Sequence, residues 1–370
     1  MVTRLAILGA TGSIGRQALD VVAAHPDLLR VTAVASARNE RALAQIARET
    51  GATLTAIQSR DGDDALVDLA TSDDVDLVLV ATPGIAGLAP TIAALDAGKR
   101  VALANKEVLV TGGHLIAPLA GGAGELLRPV DSEHCGLWQC LAGERRTDVE
   151  RVFLTASGGP FRERPIADLA KVTAEEALRH PTWKMGPKVT IDSATLANKG
   201  YEVVETRWLY GLPYDQIEIV LHPESVVHAL VELADGSVKA QLAEPDMRLP
   251  IQYALLWEHA PSPARRLDWS VARTLRFAGS PDLKRYPALA AVLDTARSGD
   301  AGAMIGLSAA DEIAVERFLR GEIGFNDIAP LLRRGASLGA AARAGAPDLR
   351  RILEIDRSVR EAIAAQPVPG

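Results

Sequence analysis

The first twenty-six residues constrain the fold most. Arg4-Leu5-Ala6-Ile7-Leu8 is a short apolar strand. It runs straight into Gly9-Ala10-Thr11-Gly12-Ser13-Ile14-Gly15, then into a helical pattern ending near His25-Pro26. Strand, glycine turn and helix in that order form the phosphate-binding unit of a doubly wound parallel sheet. The glycines stand at 9, 12 and 15, which departs from G-x-G-x-x-G. The physics is the same. Without Cβ atoms the backbone can approach a pyrophosphate, and the helix N-terminus faces its charge. Such a loop alone is weak evidence, but its place directly after the first strand strengthens it.

The second strand, Val31-Thr32-Ala33-Val34-Ala35, should end at a ribose. An NAD site wants a carboxylate there. Here stand Ser36, Ala37, Arg38 and Asn39. A guanidinium without a carboxylate suits a 2′-phosphate, which points to NADPH. The plainer alternative is that Arg38 begins a surface helix. In Asp76-Leu77-Val78-Leu79-Val80-Ala81 every residue after Asp76 is apolar, as in a strand covered on both faces. An Ala-rich helix over 87–98 and a strand Val101-Ala102-Leu103-Ala104 follow. Asn105, Lys106 and Glu107 then sit at the strand's carboxyl end, where such sheets bind ligands. Asn105 could equally be a helix cap.

Further on, Asp131 and Glu133 follow a strand pattern. In an extended segment they point the same way and repel unless a cation or protons intervene. Alternatively they start a surface helix. A strand over Val149–Ala156 leads to Ser157-Gly158-Gly159-Pro160-Phe161, whose hydroxyl and amides could receive a phosphate. His180 to Pro187 surrounds Trp183 with prolines and a glycine, which suits a water-excluding lid or a Trp packed into a domain seam. Asp192-Ser-Ala-Thr-Leu-Ala-Asn-Lys-Gly-Tyr-Glu202 reads as one polar helix. Asp192 or Ser193 would cap it, and Asn198, Lys199 and Glu202 would share a face. Asp131, Glu133 and Glu202 together make an all-oxygen set for Mg²⁺ or Mn²⁺, not zinc. Strand patterns recur over 217–221 and 237–242.

The chain has 370 residues and a net charge of −7, which argues against general nucleic-acid binding. No apolar run is long enough to cross a bilayer, and no secretory or transit segment precedes the first strand, so a cytoplasmic protein is expected. Cys135 and Cys140 lack zinc spacing and any activating context, which counts against an acylating dehydrogenase. Prolines at 261, 263, 281 and 287 mark an extended linker. Helical patterns over 288–297, 308–320, 325–334 and 348–365 follow it. The expected architecture is α/β: an N-terminal Rossmann-type NADPH domain over 1–130 and a central α+β catalytic domain over 131–260. A linker over 261–287 then leads to a C-terminal helical bundle over 288–370.

The motifs together resemble the family of 1-deoxy-D-xylulose 5-phosphate reductoisomerases. The resemblance covers G-A-T-G-S-I-G at 9–15, A-N-K-E at 104–107, P-V-D-S-E-H at 129–134 and S-G-G-P-F at 157–161. It continues through H-P-T-W-K-M-G at 180–186, the 192–202 segment, H-P-E-S-V-V-H at 222–228 and P-D-M-R at 245–248. It implies NADPH contacts from Thr11, Gly12, Ser13, Ile14, Ala37, Arg38, Asn39, Asn105, Glu107 and Gly186. It implies a Mg²⁺ or Mn²⁺ site at Asp131, Glu133 and Glu202. Lys106, Ser132, Glu133, Ser157, His180, Trp183, Ser193, Asn198, Lys199 and Glu202 would meet a sugar phosphate. Of these, Ser157, Ser193, Asn198 and Lys199 would group around the phosphate, with Trp183 as the lid. Lys106, Asp131, Glu133 and Glu202 would carry the chemistry. A homodimer is implied as well. Ala10 and Ala37 depart from the commoner Ser and Gly, and Asp311 from a common Asn. A rival reading is an NADP-sensing regulator that kept the fold and lost the chemistry.

Overall fold

The computed structural model describes residues 2–183, 185–343 and 345–366. Lys184, within the His180–Gly186 segment, lies outside the described residues, as do the last four residues of the chain. The first sheet contains β1 (Thr3–Leu8), β2 (Leu29–Ser36), β3 (Leu54–Ile57), β4 (Leu77–Val80), β5 (Arg100–Leu103) and β6 (Leu127–Pro129). All pairings are parallel, in the order β3-β2-β1-β4-β5-β6. The chain moves outward from β1 to one side and returns at β4 to the other. That reversal opens a crevice at the carboxyl ends of β1 and β4. Every residue of β4 is buried. Val78 and Val80 pack on one face with Leu88, Leu103 and Leu109. Leu77 and Leu79 pack on the other with Ile7, Val34 and Ile251. Two covered faces explain why the run does not alternate, and truncating one such leucine would cost about 2–5 kcal/mol. Gly9 turns at φ +95°, and a Cβ there would lie 2.4 Å from the Ala81 carbonyl oxygen. The loop can pass the end of β4 only as glycine.

The second sheet contains β7 (Val149–Ala156), β8 (Ile217–Leu221), β9 (Val227–Leu233) and β10 (Val238–Leu242), in the order β10-β9-β7-β8. β7 and β8 run parallel, and the other pairs are antiparallel. β9 was not anticipated; its first two residues, Val227 and His228, close the H-P-E-S-V-V-H segment at 222–228. The helix Ser132–Leu141 covers this sheet through Leu137, which packs with Val152, Ala229 and Val231. Residues 258–286 carry neither helix nor strand.

Four helices follow: Pro287–Ser298, Ala301–Leu319, Ile328–Ala340 and Leu349–Ala364. The second begins at Ala301, ahead of the 308 expected from pattern, because Asp300 caps it by accepting from the Ala303 N–H. It crosses the Ile328–Ala340 helix in near backbone contact. A Cβ on Gly339 would lie 2.0 Å from the Gly302 carbonyl oxygen.

Two local expectations need correction. Residues 192–202 are not one helix. Leu196 adopts φ +56° and separates Pro187–Thr195 from Ala197–Tyr210. Asp192 and Ser193 therefore lie in the last turn of the first helix and cap nothing. Asp131 and Glu133 are not in an extended segment either. Asp131 is the N-cap of the Ser132 helix and accepts from the Glu133 N–H at 3.2 Å.

Candidate active site

A cavity lies where the first sheet's crevice meets the second sheet. Ser13 and Ile14 contribute from the glycine loop, Lys106 from the end of β5, and Ser157 from the end of β7. Trp183, Met185 and Gly186 close it from the 180–186 segment, and Ser193, Asn198, Lys199 and Glu202 line it from the paired helices. Asp131, Ser132 and Glu133 enter at the start of their helix, where negative charge is favoured.

The kink at Leu196 and the start of the Ser132 helix bring Asp131, Glu133 and Glu202 together. Carboxylate oxygens of all three lie within 4.8 Å of one another. Two ammoniums stand among them. Lys106 Nζ lies 2.8 Å from Asp131 and 3.1 Å from Glu202, and Lys199 Nζ lies 2.6 Å from Glu133 and also bonds Glu202. Asn198 donates to Glu202 at 2.5 Å, and the Ser132 hydroxyl donates to Glu133 at 2.5 Å. Burial and the charges of Asp131 and Glu133 push Glu202 up, against the pull of both lysines. Burial opposes the Lys106 ammonium, but Asp131 and Glu202 outweigh it and hold Lys106 well above the usual range. Three carboxylates against two ammoniums leave excess negative charge, and every donor atom is oxygen. That chemistry fits Mg²⁺ or Mn²⁺.

Behind the carboxylates lies a buried pair that the sequence reading missed. His134 Nδ1 is 3.1 Å from Asp131 and 3.3 Å from Glu205, while Nε2 is 3.0 Å from both the Glu202 carbonyl and the Thr206 hydroxyl. Burial alone would lower the imidazole, but Glu205 and Asp131 overcome it and raise His134 to about 9. The ring is therefore a cation that donates from both nitrogens. Although Asp131, His134 and Glu205 also cluster, an imidazolium cannot ligate a metal. A sequence signal existed: His134 and Glu205 each stand three residues beyond a candidate carboxylate, one helical turn away.

The opposite end of the cavity is built on His180. Its Nδ1 accepts from the Trp183 N–H at 2.9 Å and the Thr182 N–H at 3.2 Å. The proton must then reside on Nε2, which faces Ser193 Oγ at 3.0 Å and Ser157 Oγ at 3.2 Å. Burial lowers His180 to about 4, so the ring is neutral. With the imidazole N–H serving as donor, both hydroxyl hydrogens are free for an anion. Asn198 and Lys199, expected beside these serines, are instead turned to Glu202. The Trp183 ring lies tilted at 57° with its centroid 6.0 Å from that of His228, which burial lowers to about 4. Thr155, Ser225, His228 and Met247 also line the cavity and were not singled out as site residues.

On the crevice side, the Ser13–Ala24 helix begins at Gly12 with no side-chain cap. Its first amides are available to an anion. Thr11 Oγ1 meets Ser36 Oγ at 2.8 Å. Ala37, Arg38 and Asn39 are exposed at the end of β2. Asn39 caps the Glu40–Thr50 helix, and Arg38 makes no ion pair among the described residues. Asn105 caps the Lys106–Ala120 helix, and its amide donates to the Thr82 and Gly84 carbonyls at 2.5 and 2.7 Å. Glu107 is buried and paired with Lys188 at 3.0 Å. Gly186 is the N-cap of the Pro187 helix. Burial drives the Cys135 and Cys140 thiols up to about 12 and 11, so neither is a nucleophile at neutral pH.

A parallel dinucleotide-type sheet beside a carboxylate-lined, anion-accepting pocket defines a cofactor-dependent oxidoreductase that works with a divalent cation. The comparisons narrow that class. Residues 5–62 and 53–113 match the model of 1-deoxy-D-xylulose 5-phosphate reductoisomerase. Residues 127–210 and 242–362 match two C-terminal domain models of the same enzyme. The chain is 45% identical to the reductoisomerase of Exiguobacterium sibiricum, covering 98% of each. It is 48% identical to that of Thermomicrobium roseum, covering 89% of each. The solved structure of a DOX-P reductoisomerase in complex with NADPH, fosmidomycin and magnesium is 37% identical with a TM-score of 0.88, covering 98% of each chain. The Zymomonas mobilis enzyme in complex with NADPH is 39% identical with a TM-score of 0.88, covering 99% of each chain. This chain belongs to the 1-deoxy-D-xylulose 5-phosphate reductoisomerase family.

Proposed function

We propose that the protein converts 1-deoxy-D-xylulose 5-phosphate and NADPH to 2-C-methyl-D-erythritol 4-phosphate, with Mg²⁺ or Mn²⁺. The observation that carries this reading is the single cavity with a carboxylate ring at one end and a neutral Ser157–His180–Ser193 anion seat at the other. Asp131, Glu133 and Glu202 hold the cation, which when bound polarises the substrate's ketone and neighbouring hydroxyl. The uncapped Ser13 helix, with Thr11, Gly12, Ser13 and Ile14, holds the pyrophosphate, and Arg38 with Ala37 and Asn39 receives the 2′-phosphate. Asn105, Glu107 and Gly186 complete the cofactor contacts. NADPH supplies the hydride that reduces the rearranged aldehyde. The rearrangement itself is a retro-aldol/aldol sequence, with an α-ketol shift as its rival.

The chain's own groups set the rest. Ser157 and Ser193 donate hydroxyl protons to the phosphate, while the His180 N–H fixes their orientation. Asn198 and Lys199 reach the substrate once they leave Glu202. Lys106 places an ammonium proton at the oxygen on which charge develops. Ser132 orients Glu133, and Trp183 covers the cavity and excludes water. Phosphate binding far from the reacting carbons supplies positioning energy.

Two chains form a homodimer in the cytoplasm. The open edge of β10 exposes Val238, and Trp269, Val271 and Phe277 are 75%, 60% and 47% exposed, an apolar surface that a second copy would cover. Loss of NADPH absorbance on adding 1-deoxy-D-xylulose 5-phosphate and Mg²⁺ or Mn²⁺ tests the function. Oxidation should require all three; NADPH binding without oxidation would overturn the assignment in favour of a sensor.

A further inference from the structure

A second cluster of buried charge lies behind the cavity, and of its members only Glu107 has been given a role above. Among the described residues Lys188 is its only cation. Its Nζ lies 3.0 Å from Glu107, 2.6 Å from Asp192 and 2.8 Å from Asp311. Those carboxylates come from three separate places. Glu107 opens the helix after β5 of the first sheet. Asp192 precedes Ser193 of the anion seat. Asp311 lies on the Ala301–Leu319 helix of the bundle. Asp192 and Asp311 are 2% and 0% exposed. The ammonium also sits 5.1 Å from the Tyr201 ring centroid, on the helix that carries Glu202.

Two of these contacts leave the ammonium's own helix, to Glu107 and to Asp311, while Asp192 lies one turn further along that helix. Nothing else among the described residues can replace them. Apart from the Lys188 ion contact to Asp311, neither Asp192 Oδ1, the Asp311 oxygens nor the Tyr201 hydroxyl has a hydrogen-bond partner among the described residues. Burial and the adjacent Asp311 push Asp192 well above the usual carboxylate range, against the pull of Lys188. Beside it, Glu312 lies against Gly84 and pairs with Arg360 at 2.7 Å, so the bundle touches the first sheet at a second point.

We infer that Lys188 is a positioning residue: by pairing with Glu107 and Asp311 at once, with Asp192 of its own helix beside it, it locks the helix bearing Ser193 to the cofactor sheet and to the bundle. The anion seat is thereby held at a set distance from the glycine loop. The helix it locks begins at Gly186, directly after the segment carrying His180 and Trp183, so one ammonium also anchors the trailing end of the cover. The inference rests on the proposed function, since it assumes that Ser193 and His180 seat the sugar phosphate.

The test uses the full-length enzyme and two substitutions chosen to separate bridging from charge. Lys188→Met alone leaves three carboxylates without a cation and could fail to fold. The double variant Lys188→Met/Asp311→Asn keeps the formal charge of the cluster, since three carboxylates less one lysine equals two carboxylates with none. In that variant the KM for 1-deoxy-D-xylulose 5-phosphate should rise about tenfold or more. The dissociation constant for NADPH alone, read by fluorescence, should change far less, and Lys188→Arg should recover most of the loss. Unchanged KM in the folded double variant would overturn the role. So would equal losses of NADPH and sugar-phosphate affinity, which would mark a general structural effect. A wild-type enzyme that binds NADPH but never oxidises it would instead defeat the proposed function.

Discussion

At the scale of single residues, Glu202 is the sharpest probe of the site. It is 1% exposed and bonded to Lys106, Lys199 and Asn198. Glu202→Gln keeps the shape and removes the charge. NADPH affinity should be retained, while Mn²⁺ affinity, read by electron paramagnetic resonance, and turnover at low metal should fall about 10–100-fold. Near-normal turnover at low metal would remove Glu202 from the ligand set. His228 gives a pH prediction. Its folded-state value near 4 lies below the unfolded value of 6.5, so only the unfolded chain takes up this proton between those limits. The resulting stability is complete above pH 6.5 and is lost as pH falls toward 4. His228→Gln should therefore lose less stability than wild type across that window, by at most about 3 kcal/mol, measured by urea melts at each pH. The carboxylate ring was legible in the sequence because three oxygen donors near one polar segment admit few other uses. His134 and Glu205 were not, because a buried imidazolium and its counter-charge look like ordinary helix residues until packing places them behind Asp131.

Among elements, the break at Leu196 matters most. Uninterrupted, Ser193 and Glu202 would belong to one rod; the left-handed residue turns the second helix so that Ser193 faces His180 while Glu202 faces Asp131. No glycine or proline marks the break, so nothing local announced it. The glycine loop and the apolar β4 were readable because turn chemistry and burial on two faces act locally. The pairing of β9 with β7 is a long-range choice, while its hairpin with β10 across Ala234–Ser237 is local. The crossing of two bundle helices offers a test of packing. Gly339→Ala should gain about 1 kcal/mol of helix propensity. It would also place a methyl 2.0 Å from the Gly302 carbonyl. The clash should prevail, lowering stability by about 3 kcal/mol, and a thermal melt would show it. The 180–186 segment gives a functional one. Trp183→Ala should raise the substrate KM more than the NADPH KM, and equal changes would count against its role as a cover.

For the whole molecule, the architecture is two sheets meeting at one cavity, with a helical bundle braced behind them. The exposed Trp269, Val271 and Phe277 should be covered in solution. Light scattering should give the mass of two chains, and Trp269→Asp/Val271→Asp should shift it toward one; a wild-type monomer would refute the dimer. The lysines inside the carboxylate ring have a consequence for the order in which ligands bind well. If Glu133 and Glu202 hold the divalent cation as proposed, it has to displace Lys199 from their oxygens. The evicted ammonium is then unsatisfied and will attract the nearest anion. Cation and sugar phosphate thus compete for nothing and share a cost, so each must raise the other's affinity by the same factor. Metal titrations without substrate should report weak sites, and the same titrations with substrate should report tight ones.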